Sequence, residues 1–164
     1  MTGASFGLFQ GDHAMDLILW RHADARDGGP DLERPLTAKG VQQAARMAEW
    51  LLPRLPKATR ILVSPAVRAI QTANALSRDY ERVSEIAPGA DGVHVLAAAG
   101  WPDAGGTVLL VGHQPTLGEA ASMLLFGETR PMSIKKAGVL WLTNRVRGSQ
   151  PETVLKAAMT VDLL

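Results

Sequence analysis

The sequence contains no cysteine in 164 residues, and this absence removes several classes of chemistry at once. Disulfide bonds, thiolate metal sites and cysteine nucleophiles are all excluded. An excess of one charge sign is also lacking, since the formal net charge is only +1. No global field therefore attracts nucleic acid or an anionic membrane, and no apolar run reaches the about 20 residues of a membrane span. We expect neither nucleic acid nor a membrane as a partner.

The length and composition are typical of one globular domain. Hydrophobic residues make up 46% of the chain and charged residues 20%, which is ordinary for such a domain. We expect residues 15–164 to form it. Residues 1–14 have three glycines, no clear periodicity and no signal-peptide pattern, so we expect a flexible N-terminal extension and a cytoplasmic location.

Short apolar strands alternate with amphipathic helices along the chain. The pattern predicts helices that begin near Thr37, Ala66, Val93 and Thr116, and strands at 17–20, 61–63, 85–89, 107–112, 139–142 and 153–157. The last two strands are expected to form an antiparallel pair. The predicted fold class is α/β, a single three-layer α/β/α domain with a mostly parallel mixed sheet.

Three of the predicted strands end in chemically reactive or basic residues. Arg21 and His22 follow the first, Ser64 and then Arg68 follow the second, and His113 follows the long strand at 107–112. Ligands bind at the carboxyl ends of parallel strands, so we expect these side chains to share one crevice. Guanidinium groups and helix N-termini suit a phosphoryl group, and no cluster with metal-ligand spacing accompanies them. The residues therefore predict metal-free phosphoryl transfer, with one imidazole attacking phosphorus and the other stabilising the transferred group.

Four motifs resemble those of the histidine phosphatase superfamily, in the same order along the chain. They are Arg21-His22-Ala23, residues 64–73, residues 111–115, and Asp31 followed by Arg34-Pro35-Leu36-Thr37. The last segment and the small size resemble the SixA-type phosphohistidine phosphatase branch. The resemblance covers about residues 15–160 and implies a phosphoglycerate mutase-like fold without a cap domain.

The resemblance implies a role for each matching residue. His22 would be the nucleophile that becomes transiently phosphorylated, while Arg21, Arg68 and His113 would hold the phosphoryl oxygens. Asp31 is the first candidate for the general acid and Asp91 the second. Arg34, Ser64 and Gln114 are the expected substrate-binding residues, and no metal or cofactor is implied. Ala23 replaces the glycine that is usual in the first motif, a change that we expect the backbone to tolerate.

The implied activity is hydrolysis of phosphohistidine in a protein through a covalent phosphohistidine intermediate. Two alternatives stay open: a phosphatase of the same superfamily that acts on small phosphomonoesters, and a non-catalytic module that binds a phosphorylated ligand. The partner would then be a phosphorylated protein or a small phosphate compound. Arg34 also has a second interpretation, as a loop cation paired with Glu33 or Asp31, and Lys135 and Lys136 are predicted to be solvated surface.

Overall fold

The computed structural model describes residues 14–164. The expected flexible extension therefore lies outside the described residues, apart from Ala14, which is exposed and directly precedes the first strand. No helix in the described part of the chain is long and apolar enough to cross a membrane.

Strands and helices alternate from the first strand to the fourth helix, and a strand pair closes the chain. The elements are β1 Met15–Arg21, α1 Ala38–Leu51, β2 Arg60–Val63, α2 Val67–Asn74, β3 Glu81–Arg82, α3 Gly92–Ala99, β4 Gly106–Gly112, α4 Thr116–Phe126, β5 Val139–Arg147 and β6 Gln150–Met159. Short 3₁₀ turns lie at Asp31–Glu33, Ser84–Ile86 and Val161–Leu163.

The strands form one six-stranded sheet in the order β3-β2-β4-β1-β5-β6. The pairs β1–β4, β4–β2 and β2–β3 are parallel, while β5 runs antiparallel to both β1 and β6. Arg21 pairs with Gly112 and Val63 pairs with Val111, so β1, β4 and β2 end at the same edge. The predicted mostly parallel mixed sheet with a closing antiparallel pair is confirmed.

Helices cover both faces of the sheet, because the alternating side chains of the central strands are apolar on both sides. Ile18 and Trp20 of β1 pack into a core with α1 and α2. Leu17 and Leu19 enter the opposite core, which contains residues of α3 and α4. The three-layer α/β/α architecture is therefore confirmed.

The loop between β1 and α1 is fixed to the start of α1. Thr37 caps the helix, since its side chain accepts a hydrogen bond of 2.9 Å from the Gly40 backbone N–H. A Cβ atom at position 40 would lie 2.0 Å from the Asp24 carbonyl oxygen, so only glycine permits this close approach. The loop that begins after His22 is thereby held close to α1.

One sequence prediction about the elements is wrong. Residues 85–89 do not form a strand; the short strand is Glu81–Arg82, and a 3₁₀ turn follows it before Pro88 and Gly89. The strand β3 pairs with β2 at only two positions. Because β2 ends at Val63, it offers no partner to residues 85–89. Val41 in α1 is apolar but 56% exposed, because the helix turns Ala44, Met47 and Leu51 inward instead.

Candidate active site

A polar cleft of about 390 Å³ lies at the carboxyl edge of the parallel strands. Its lining consists of Arg21, His22, Ala25, Asp27, Asp31, Arg34, Arg68, Pro88, Gly89, His113, Gln114 and Lys136. The predicted residues from the ends of β1 and β4 and from the start of α2 therefore meet in one place, as the parallel register requires.

His22 is buried, and its two ring nitrogens have different partners. Its Nδ1 lies 2.7 Å from the Ala23 carbonyl oxygen, which can only accept, so Nδ1 carries the proton. Its Nε2 accepts a hydrogen bond of 3.3 Å from Arg68 Nε. Burial lowers the pKa of His22 to about 4; the bond to Ala23 opposes this shift, and the charges of Arg68 and Arg21 reinforce it. At neutral pH the ring is uncharged, with a lone pair on Nε2.

His113 faces His22 from the end of β4. The two ring centroids are 5.1 Å apart, and His113 Nε2 lies 2.6 Å from the Ser64 hydroxyl oxygen. Burial, reinforced by the neighbouring His22 and Arg68, lowers the pKa of His113 to about 3. Ser64 is fully buried and contacts His113 without lining the cleft. The site thus holds two neutral imidazoles side by side.

Arg68 is only 3% exposed although it lies in the first turn of a helix, where a cation is unfavourable. Beyond its bond to His22, its Nη1 donates to the Asp31 carbonyl oxygen at 2.6 Å and its Nη2 to the Asp31 carboxylate at 3.1 Å. Arg21 donates from Nη1 to the Ile134 carbonyl oxygen at 2.8 Å, and its buried Nε has no partner among the described residues. Burial lowers the pKa of Arg21. Both guanidiniums are held against the cleft by neighbouring loops.

Asp31 bridges the two arginines at the exposed side of the cleft. Its carboxylate accepts from Arg34 at 2.8 Å as well as from Arg68, and these bonds lower the pKa of the Asp31 carboxyl. The carboxylate is therefore ionised in this arrangement. Arg34 pairs with Asp31, as its interpretation as a loop cation predicted, and it also lines the cleft; its role in substrate binding stays a prediction.

Gln114 and Asp91 have structural contacts that the sequence did not predict. Gln114 lines the cleft, but its side-chain amide donates to the Met132 carbonyl oxygen at 2.8 Å and accepts from the Gly118 N–H at 3.0 Å. Asp91 caps α3 by accepting from the His94 N–H, and it is absent from the cleft lining. Asp91 therefore lacks the position that the second candidate acid would need.

Lys136 is exposed, as the sequence predicted, and it also lines the cleft, which the sequence did not predict. Its Nζ lies 2.6 Å from an Asp24 carboxylate oxygen, which places the ammonium at the rim. The backbone explains this position, since the Ala137 N–H donates to the His22 carbonyl oxygen at 3.1 Å. The antiparallel pairing of β5 with β1 could have revealed it, because residues just before β5 must lie where β1 ends.

Within residues 14–164, no group of three or more histidine, aspartate or glutamate side chains is arranged to hold a metal ion. The described residues also contain no inserted domain over the cleft, because the longest connection at its mouth, residues 22–37, holds only one 3₁₀ turn and one isolated bridge.

Comparison with known proteins agrees with this arrangement. The family model described as "Histidine phosphatase superfamily (branch 1)" matches residues 17–95. The chain is 34% identical over 128 residues to the phosphohistidine phosphatase SixA of Escherichia coli (strain K12), covering 72% of this chain and 79% of that protein. It is 36% identical over 152 residues to a protein of Picosynechococcus sp. (strain PCC 7002), covering 85% of this chain and 91% of the relative.

The chain belongs to the histidine phosphatase superfamily. A solved structure of the protein histidine phosphatase SixA complexed with tungstate superposes with a TM-score of 0.73 at 26% identity, covering 91% of this chain and 99% of that one. The predicted resemblance to the SixA-type branch and the predicted fold without a cap are thereby confirmed. The alignments span most of both proteins, so the shared fold is that of the whole domain.

Proposed function

We propose that this member of the superfamily is a phosphatase that hydrolyses phosphohistidine in a protein through a covalent phosphohistidine on His22. One observation carries the proposal: two neutral imidazoles lie with their ring centroids 5.1 Å apart in a cleft lined by Arg21 and Arg68. The name of the relative from Escherichia coli supports the substrate class. Tungstate, an oxyanion shaped like phosphate, is bound by the solved SixA, which supports a phosphoryl site here.

In the first step, the His22 Nε2 lone pair attacks phosphorus and the bond to the leaving nitrogen breaks. The proton on His22 Nδ1 stays on the ring, where its bond to the Ala23 carbonyl oxygen stabilises the positive charge that develops. Arg68 must turn its Nε from the His22 lone pair toward the incoming oxygens. Arg21, Arg68 and His113 then donate to the three phosphoryl oxygens, whose charge grows in the transition state.

In the second step, water attacks the phosphorus on His22. The P–N bond to Nε2 breaks, inorganic phosphate leaves, and the ring returns to its neutral form with the proton still on Nδ1. The same hydrogen-bond donors serve both steps. The phosphoryl group stays between them, while the atom bonded to phosphorus changes from the leaving nitrogen to His22 Nε2 and then to the water oxygen. Apart from the proton that the acid gives to the leaving nitrogen in the first step and regains from the attacking water in the second, no residue other than His22 needs to change its covalent bonding.

Asp31 is our candidate for the acid that protonates the leaving group in the first step. Its carboxyl pKa is lowered by the hydrogen bonds and charges of Arg34 and Arg68. A bound phosphoryl dianion would draw those two guanidiniums away and add negative charge nearby, and both changes raise a carboxyl pKa. A phosphoramidate also needs little help, because its nitrogen is protonated more readily than the oxygen of an alkyl ester. A weak acid at this position therefore favours phosphohistidine over alkyl phosphates.

The accessibility of the cleft favours a protein as the substrate. Its outer side carries exposed residues, Asp27 and Asp31, and the described chain places no domain over it. A phosphorylated side chain on a folded surface can therefore reach His22. The cytoplasmic location expected from the sequence stays a prediction, which cell fractionation with immunoblotting would test.

The direct test is a phosphate-release assay in EDTA with phosphohistidine protein and para-nitrophenyl phosphate offered in parallel. His22→Ala should abolish release from both, since no other residue in the described cleft replaces the nucleophile. His94→Ala is the matched control, because this histidine is exposed and pairs with Asp91 on α3. Its rate should equal that of the unmodified protein.

Each result of the assay has a definite meaning. Release from phosphohistidine that survives EDTA and is lost only in His22→Ala would support both the mechanism and the substrate class. Release from the aryl ester alone would keep the mechanism and discard phosphohistidine as the substrate. Binding of phosphohistidine protein without any release would overturn the enzymatic proposal in favour of a binding module.

A further inference from the structure

We infer that Ser64 is a positioning residue whose hydroxyl fixes His113 in the tautomer that presents an Nδ1–H donor to the phosphoryl group. The inference rests on the proposed function, because it assigns a task within the same site. It also changes the expected role of Ser64, which the sequence suggested as a substrate-binding residue.

Ser64 is placed at the end of β2 with no access to solvent. Its exposed fraction is 0%, and its Oγ lies 2.6 Å from His113 Nε2. The same Oγ accepts a bond of 3.3 Å from the Ala66 N–H at the start of α2. The hydroxyl therefore accepts from one side and has its single proton left to donate.

The destination of that proton fixes the tautomer of His113. Among the described contacts of Ser64, His113 Nε2 is the group that can accept the proton. If the hydroxyl donates to Nε2, that nitrogen carries a lone pair, and the hydrogen of the neutral imidazole must be on Nδ1. In the opposite tautomer the buried hydroxyl proton would have no acceptor, which is unfavourable.

The remaining ring nitrogen of His113, Nδ1, is the one that we assign to the ligand. His113 is 4% exposed and lines the cleft, and its Nδ1 is buried with no hydrogen-bond partner in the described part of the chain. Phosphoryl oxygens carry lone pairs only, so a protonated Nδ1 attracts them and an unprotonated one repels them. A buried polar atom without a partner beside an anion site is explained if the anion itself is the partner.

The tautomer can be read from ring nitrogen NMR spectra of the ¹⁵N-labelled protein near pH 7, where both cleft histidines are neutral. The variants His13→Ala and His94→Ala, combined, leave only His22 and His113 in the spectrum. We expect a protonated Nδ1 and an unprotonated Nε2 for His113, and a shift of the Nδ1 signal when tungstate is added. A His113 ring protonated on Nε2, or an Nδ1 signal that bound tungstate does not move, would overturn the inference.

A kinetic comparison uses Ser64→Ala against Ser122→Ala. Ser122 is equally buried, and its hydroxyl donates to the Glu119 carbonyl oxygen on α4, away from the cleft. We expect Ser64→Ala to lower kcat by about tenfold to a hundredfold, which is less than the loss of about 10²–10³-fold on deleting an oxyanion donor. We also expect both His113 tautomers to be populated in this variant. Ser64→Cys, a weaker donor of similar size, should lie between, and Ser122→Ala should change neither quantity.

The outcomes separate this inference from the proposed function. If Ser64→Ala keeps full kcat and an unchanged His113 tautomer, the inference is wrong while phosphatase activity stands. If the unmodified protein shows no turnover, the proposed function fails, and the tautomer spectrum with tungstate still decides the role of Ser64. If Ser64→Ala does not fold, the spectrum of the unmodified protein gives the decision alone.

Discussion

The two sides of the cleft are built differently. On the inner side, His22, His113 and Arg68 are buried; the two histidines directly follow β1 and β4, and Arg68 lies in the first turn of α2. On the outer side, Asp31 has a side-chain exposure of 55% and Arg34 of 24%, and both lie on a loop. Burial makes the inner contacts strong and fixed, whereas solvent weakens ion pairs on the outer side. We therefore expect chemistry to depend on the inner side and substrate preference on the outer one.

The largest expected difference is between Arg68→Lys and Arg34→Lys. Lysine keeps the charge but loses the fork of donors, so at Arg68 we expect kcat to fall by about 10²–10³-fold. At Arg34 the loss should stay below about fivefold, because exposed pairs contribute only about 0.2–1 kcal/mol. Steady-state kinetics on phosphohistidine protein, with thermal melting to confirm folding, measures both. Equal losses at the two positions would contradict the division into two sides.

A second prediction concerns stability against pH. The pKa of His22 is about 4 in the fold and about 6.5 in the unfolded chain, so the unfolded state binds more protons between these values. Unfolding free energy should therefore fall as pH drops from about 6.5 to 4, by about 3 kcal/mol for His22 over the full window. Urea unfolding at pH 7 and pH 4.5 should show a smaller loss in His22→Gln.

The outer side sharpens this prediction because its stabilising contribution is lost in a different, more acidic pH window. The pKa of Asp31 is lowered, so its ion pairs stabilise the fold above the ordinary carboxyl range and are lost only at more acidic pH. Asp31→Asn should therefore leave the pH 7 to pH 4.5 difference unchanged. A His22→Gln protein with the same loss as the unmodified chain would show that the histidine is not neutral in the fold.

A third prediction tests Asp31 as the acid. An acid is needed most when the leaving group is basic, so Asp31→Asn should lower kcat about tenfold on phenyl phosphate and little on para-nitrophenyl phosphate. Phosphohistidine should be intermediate. An equal decrease in kcat on both aryl esters would show that Asp31 is not the acid and only holds Arg68 and Arg34 in place.

The smallest expected effect belongs to Lys136. Removing its charge by Lys136→Ala should raise KM about two- to fivefold with kcat unchanged, since a rim cation helps binding without contacting the reacting atoms. Lys135→Ala is the control, because that neighbour pairs with Asp162 and does not line the cleft. A KM change of the same size in Lys135→Ala would show a general charge effect only.

The inner side was predictable from the sequence and most of the outer side was not. Apolar runs located β1 and β4, and parallel strands bring the residues that follow them together whatever the loops do. The first-turn cation Arg68 signalled function because it opposes the helix dipole. The contacts of Asp31 and Lys136 depend instead on a 3₁₀ turn and on a segment that returns to the end of β1, and neither has a periodic signal.

The orientation of polar side chains was also beyond the sequence. Ser64 and Gln114 were expected to bind substrate because they follow strand ends. The structure shows that Ser64 contacts His113 and that the Gln114 amide contacts the Met132 and Gly118 backbones. Which partner a buried hydroxyl or amide takes depends on packing from distant segments, and local patterns do not encode that.

The most direct test of the central claim is to trap the covalent intermediate. Protein mixed with ³²P-labelled phosphohistidine protein is quenched in denaturant at alkaline pH, and the labelled site is mapped by mass spectrometry. We predict a label on Nε2 of His22 that is stable in base and lost in acid, present in His94→Ala and absent in His22→Ala. Turnover without a label, or a label on any other residue, would contradict nucleophilic catalysis by His22.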